Sequence, residues 1–178
     1  MTDSYSPIEL LGSSAVVEEM KDRVRQMLAR AASGGRLPPV LIQGETGSGK
    51  GLLARTLHLS SPRAAAPFVA VNCGAIPETL AESEFFGFVR GAHSEARSPK
   101  LGYFQAADRG VIFLDEVGLL SQGNQARLLK VVEDRQVLPI GSTKAISVDV
   151  WLISATNADL RAEVDRHSFR RDLYERLA

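Results

Sequence analysis

The segment Gly44-Glu45-Thr46-Gly47-Ser48-Gly49-Lys50 constrains this chain more than any other. It fits G-x-x-x-x-G-K and stands between the apolar run Val40-Leu41-Ile42 and a helical pattern from Gly49 to Leu59. Glycines at these offsets let the backbone turn tightly, so that successive N–H groups point at phosphate oxygens, and the helix that follows adds its positive N-terminal end. Lys50 can then reach the β and γ phosphates of a nucleotide. The candidate nucleotide-binding residues are therefore Gly44, Glu45, Thr46, Gly47, Ser48, Gly49, Lys50 and Gly51. Gly51 departs from the general motif, in which Ser or Thr ligates magnesium, so the metal must lean on other groups.

Those groups are offered by Val111-Ile112-Phe113-Leu114-Asp115-Glu116, an apolar run ending in two carboxylates. Asp115 is placed to hold magnesium and Glu116 to polarise an attacking water, which points to nucleoside triphosphate hydrolysis. Four short apolar runs, Val40 to Gln43, Phe68 to Asn72, Val111 to Asp115 and Val148 to Ala155, read as strands. Helical spacing separates or precedes them at Ser14 to Ala32, with Ser13 or Ser14 as cap, at Gly49 to Leu59 and at Gln122 to Val132. Strands alternating with helices imply crossover units, hence an α/β fold with a largely parallel sheet covered on both faces.

Composition removes other classes. The 178 residues carry 21 Lys+Arg and 21 Asp+Glu, a formal charge of zero, so no summed field draws the chain to nucleic acid. The single cysteine, Cys73, excludes an internal disulfide and a cysteine zinc cluster, and it ends an apolar run where a buried thiol packs well. His58, His93 and His167 lie too far apart to suggest a metal site made from side chains alone. With no apolar stretch of about 18 residues and no basic-then-apolar leader, the expected compartment is the cytoplasm, without membrane contact.

Further motifs follow in a fixed order: Val71-Asn72-Cys73, Glu82-Ser83-Glu84-Phe85-Phe86-Gly87, Gln125 with Leu128-Leu129, Val148-Asp149-Val150, Ala155-Thr156-Asn157, and Phe169-Arg170 through Asp172-Leu173-Tyr174 to Arg176-Leu177. Together with the phosphate loop and the Asp115-Glu116 strand, these make the chain, from about Leu11 to Leu177, resemble the AAA+ ATPase domain of bacterial enhancer-binding proteins, the activators of sigma-54 RNA polymerase. The resemblance implies a P-loop NTPase of the AAA+ class with a loop insertion after the second strand. It implies a ring, usually a hexamer, that hydrolyses ATP with Mg2+ at subunit interfaces and remodels the polymerase holoenzyme. By position it makes Lys50 a phosphate ligand, Asp115 the magnesium holder and Glu116 the residue that primes water. Asn72 matches the residue that pairs with the catalytic glutamate, Thr156 and Asn157 match the first sensor, and Arg170 and Arg176 match the arginines that reach into the neighbouring subunit. An arginine supplied in trans makes hydrolysis conditional on assembly, because a fixed cation near the γ phosphate stabilises transition-state charge.

Four departures accompany the resemblance. Gly51 stands where the family usually has Glu, and Trp151 where it commonly has Arg; as a strand residue, Trp151 is expected to cover the sheet. The family's polymerase-touching loop reads GAFTGA, whereas this chain has Gly91-Ala92-His93-Ser94-Glu95-Ala96, which alters the contact chemistry at the tip. Family domains also continue into another strand and a helical lid, so residues 1–178 are expected to form the α/β core alone, with DNA bound only through a domain outside it. Strand Val40 to Gln43 would then be an open edge. The alternative reading of the altered loop is a nucleotide-binding regulatory or scaffold module of the same fold that no longer engages sigma-54.

Overall fold

The structure is a computed structural model and describes residues 14–32, 35–92 and 96–178. Its strands are β1 (Val40–Gln43), β2 (Phe68–Asn72), β3 (Val111–Asp115), β4 (Gln136–Val137), β5 (Ile146–Ser147) and β6 (Trp151–Thr156). β1, β6, β3 and β2 lie in that spatial order, and every neighbouring pair is parallel. The period-two alternation of side chains divides the core between the two faces of this sheet. Val111, Phe113, Trp151, Ile153 and Ala155 pack with Leu28, Ala54 and Leu57, which come from α1 (Ala15–Ala32) and α2 (Lys50–Leu59). Val71, Ile112, Leu114 and Leu152 pack with apolar side chains of α3 (Glu78–Phe86), α4 (Tyr103–Ala106), α5 (Gln122–Asp134), α6 (Leu160–Asp165) and α7 (Arg171–Leu177). Helices thus cover both faces, as the alternation of patterns required. Among the described residues no helix is long and apolar enough to cross a membrane.

Ser14 caps α1, its Oγ accepting from the Val17 N–H at 3.4 Å. Trp151, 1 % exposed, covers the sheet as expected, and its indole N–H is satisfied by Pro38 O at 2.8 Å. Among the described residues β1 lies at the edge of the sheet, paired with β6.

The fourth strand begins later than the sequence suggests. Its ladder starts at Trp151, whose N–H bonds Gly110 O, and runs to Thr156. Val148 and Asp149 are drawn away by other partners: Val148 N–H donates to Arg135 O at 2.9 Å, and Asp149 N–H donates to Asp108 Oδ1 at 2.7 Å. Both Asp149 carboxylate oxygens accept from Arg63 Nη2 at 2.9 Å, a polar clamp that outcompetes strand pairing. Gly49 caps α2 in the left-handed conformation rather than entering it, and α5 runs two residues past the expected Val132.

The antiparallel β4–β5 hairpin was not legible as a strand pair, because each strand has only two residues. Its far end is laced to the segment after α3: Val89 N–H donates to Ile140 O at 3.1 Å, and Ile140 N–H to Gly87 O at 2.9 Å. Gly141, at φ 77°, is required at this crossing, since a Cβ there would stand 2.9 Å from that of Ala92.

Candidate nucleotide site and arginine face

Parallel pairing brings four strand ends to one edge of the sheet. In register, Gln43 of β1 faces Thr156 of β6, Leu114 of β3 faces Ser154 of β6, and Asn72 of β2 faces Asp115 of β3. The phosphate loop, Thr156-Asn157, Asp115-Glu116 and Asn72 therefore emerge side by side, where open α/β sheets bind ligands.

The loop leaves β1 and turns through Gly47 and Gly49, both with positive φ (82° and 87°), and a Cβ at either would meet nothing within 4 Å. Ser48 N–H closes the turn on Glu45 O at 3.2 Å. Lys50 opens α2 and is 9 % exposed; its Nζ donates to Gly44 O and Glu45 O, each at 3.0 Å. Among the described residues no carboxylate lies within ion-pair distance of that ammonium. A buried cation resting on neutral carbonyls is prepared for an anion.

The sensor strand is tied to this loop twice. Gly44 N–H donates to Thr156 O at 3.2 Å, and Asn157 Nδ2 to Thr46 Oγ1 at 3.3 Å. Thr156 is fully buried, and its hydroxyl accepts from the Ala158 N–H at 3.1 Å.

Asp115 ends β3 half-buried, with Oδ1 accepting the Glu116 N–H at 3.0 Å. Glu116 sits at φ 55°, ψ 47°, left-handed backbone that a non-glycine residue adopts at a cost of about 1–3 kcal/mol. A short 3-10 turn, Val117–Leu119, follows, and another, Cys73–Ala75, follows β2. The two touch: a Cβ on Gly74 would come within 2.8 Å of Leu119 Cδ1. Asn72 caps its own turn, with Oδ1 accepting from Gly74 N–H at 2.9 Å and Ala75 N–H at 3.2 Å. That capping role was not visible in the sequence, although Asn followed by a turn is the usual signal. Cys73 is a buried packing thiol, as expected; burial, aided by the Asp115 charge, pushes its pKa up to about 12.

The two arginines lie elsewhere. Neither has a hydrogen bond or ion pair to residues 44–51 among the described residues. Arg170 caps α7, and its Nε and Nη2 donate to the two oxygens of Asp172 at 3.0 and 2.6 Å. These bonds raise the Arg170 pKa above the ordinary guanidinium value, and the same contact holds the Asp172 carboxyl below its own. Arg176 donates from Nε to Glu133 Oε1 of α5 at 2.9 Å. Arg170 also lines an open depression of about 360 Å³ with Gln122, His167 and Phe169.

The inserted loop springs from Phe88, which bridges to Lys100 and to Ile140. Gly91, at φ 81°, donates its N–H to Ala96 O at 2.8 Å and so closes the loop's base, and Ala92 N–H bonds Val89 O. His93, Ser94 and Glu95 lie outside the described residues.

The model of the family described as the sigma-54 interaction domain matches residues 10–178. The chain belongs to this family. Among similar proteins, the anaerobic nitric oxide reductase transcription regulator NorR of Klebsiella pneumoniae is 45% identical over 170 residues, 96% of this chain and 32% of that protein. The hydrogenase transcriptional regulatory protein HoxA of Bradyrhizobium diazoefficiens is 50% identical over 139 residues, 78% of this chain and 29% of its own length. This sigma-54 interaction domain thus spans about a third of the length of the curated relatives it matches. The crystal structure of NtrX from Brucella abortus in complex with ATP superposes with a TM-score of 0.79 at 34% identity, covering 96% of this chain and 35% of that one. The fold is accordingly the α/β P-loop core of an AAA+ domain, with its parallel sheet between helices.

Proposed function

We propose that residues 1–178 form the ATP-binding and ATP-hydrolysing core of a sigma-54-dependent transcription regulator, which acts as a ring on RNA polymerase holoenzyme. The observation that carries this reading is the convergence of four strand ends, which sets the buried, carboxylate-free ammonium of Lys50 in the same edge as Asp115 and Glu116. The open glycine turn and Lys50 fit a triphosphate, and the Asp115 carboxylate fits a hard divalent cation. Magnesium held there would neutralise charge shared by the β and γ phosphates. The loop N–H groups and Lys50 bind and orient the phosphates; Glu116 orients and deprotonates the attacking water. Asn157, through Thr46, reports the state of the loop to β6, and Asn72, level with Asp115 in the sheet and one residue short of Glu116, would pair with that glutamate on leaving its own turn. Arg170 and Arg176 complete the site of a neighbouring copy, since their own loop does not receive them.

The ATP complex of NtrX and the relatives' names as transcription regulators support this reading over a scaffold that ignores sigma-54. The deciding experiment is ATP hydrolysis per subunit against protein concentration, with Glu116→Gln as the blank. Specific activity rising with concentration is expected. Activity that is absent, or equal at every concentration, would overturn a site shared between subunits.

A further inference from the structure

Gln125 is the one fully buried side-chain amide among the described residues, and from the first turn of α5 it joins three backbone groups in two segments. Its Nε2 donates to Leu120 O at 2.8 Å and to Ser168 O at 3.0 Å, while its Oε1 accepts the Arg170 N–H at 2.8 Å. Leu120 is the residue directly after the Val117–Leu119 turn that begins at Glu116. Ser168 and Arg170 flank Phe169, which is 2 % exposed and seated in the core. Gln122, one turn earlier on α5, grips the same segment through His167 O at 3.0 Å and Ser168 O at 2.9 Å.

A fully buried amide is costly to keep unless its own donor and acceptor groups are bonded, as they are here. An apolar residue would fill the same space in an amphipathic helix more cheaply, so packing alone does not account for it. What the amide does is fasten the end of the Glu116 turn and the root of the Arg170 side chain to one helix. Asp172 then sets the direction of the guanidinium from that root.

We infer that Gln125 is a positioning residue that couples the two sites each subunit serves: it ties the Glu116 turn of the subunit's own nucleotide site to the backbone of the arginine offered to its neighbour's. A shift of the Glu116 turn with nucleotide state is carried through Leu120 and Gln125 to Arg170. The inference rests on the shared site proposed above.

The test mixes two silent chains. Glu116→Gln cannot hydrolyse but presents Arg170; Arg170→Ala keeps its own site but presents no arginine. Their mixture regains activity only where the first chain serves the second. Gln125→Met is then placed in one chain or the other, and phosphate release is measured. Placed in the Glu116→Gln chain it is expected to lower the regained rate about a hundredfold, the size of effect that a misplacement of about 1 Å produces. Placed in the Arg170→Ala chain it is expected to lower that rate by less than about tenfold, since there it loosens only the end of the Glu116 turn and that chain donates no arginine. Gln125→Glu in the donor, whose carboxyl burial keeps protonated, retains an acceptor for Arg170 N–H and one donor, and is expected to recover most of the rate. Equal losses in both placements would mean a folding role only and would overturn the coupling. Loss confined to the Arg170→Ala chain would overturn it too. An unsubstituted chain that hydrolyses nothing at any concentration would instead overturn the shared site itself.

Discussion

Lys50 and Arg170 are both cations suited to the same phosphate chain, yet the molecule holds them in opposite ways. Lys50 is 9 % exposed and rests on two neutral carbonyls of its own loop. Arg170, with a side chain 38 % exposed, is clamped by both oxygens of Asp172. A phosphate arriving at Lys50 gains a charge partner without displacing one, whereas a phosphate arriving at Arg170 competes with a carboxylate already in place. On the proposed reading the lysine half is ready in a single chain, and the arginine half becomes productive only when a neighbour's anion offers more than Asp172 does.

The sharpest way to break that comparison is Arg170→Ala. Turnover at saturating protein should fall roughly 10³- to 10⁵-fold, the usual worth of an arginine supplied to phosphoryl transfer, while binding of a fluorescent nucleotide to the dilute chain stays unchanged. A parallel loss of binding would place Arg170 in its own chain's site. Glu116→Gln should lower turnover by roughly 10²- to 10⁴-fold, as removal of a general base does, and leave nucleotide affinity near that of the unsubstituted chain. Weakened binding would assign Glu116 to phosphate or metal contact.

Cys73 sharpens the buried side of the comparison. Its pKa, raised from 9.0 to about 12, keeps the thiol neutral up to and beyond pH 9, with thiolate forming only as pH approaches 12. That three-unit rise means about a thousandfold less thiolate at pH 8 than an ordinary cysteine carries, so alkylation by iodoacetamide should be slowed by about that factor until denaturant is added. Fast labelling of the native chain, followed by mass spectrometry, would show that the end of β2 opens. The smallest effect is expected at Gly51→Ala. A Cβ there meets only Phe113 Cε1, at 3.9 Å, so the helix should gain about 1 kcal/mol in chemical denaturation without steric penalty. A loss of stability would mean that the first turn of α2 needs its glycine.

The sequence was most legible where burial and backbone chemistry coincide. β1, β2 and β3 begin and end at the residues their apolar runs suggested: β3 is central and buried along its length, and the two outer strands β1 and β2 carry their polar residues only at the ends, Gln43 and Asn72. The loop was legible for the same reason, since its glycines are needed at positive φ. Legibility failed where side chains from distant segments decide. Val148 and Asp149 look like strand but answer to Arg135, Asp108 and Arg63. α3 escaped notice because its apolar residues do not keep to one face: Ala81, Phe85 and Phe86 are buried while Leu80 is half exposed. Gln125 drew attention only as part of a resemblance; no local pattern tells that a polar residue inside an amphipathic helix will meet three backbone groups, one of them 45 residues away.

The left-handed backbone of Glu116 bears on any attempt to harden this protein. Glycine or asparagine would sit at φ 55° with less strain than glutamate does, and either would return part of about 1–3 kcal/mol to the folded state. A screen that rewards survival of heating, and nothing else, would thus be drawn to the very position of the carboxylate proposed to activate water. Variants recovered from such a screen should be sequenced at codon 116 before their activity is trusted, because here robustness and turnover pull on one residue from opposite directions.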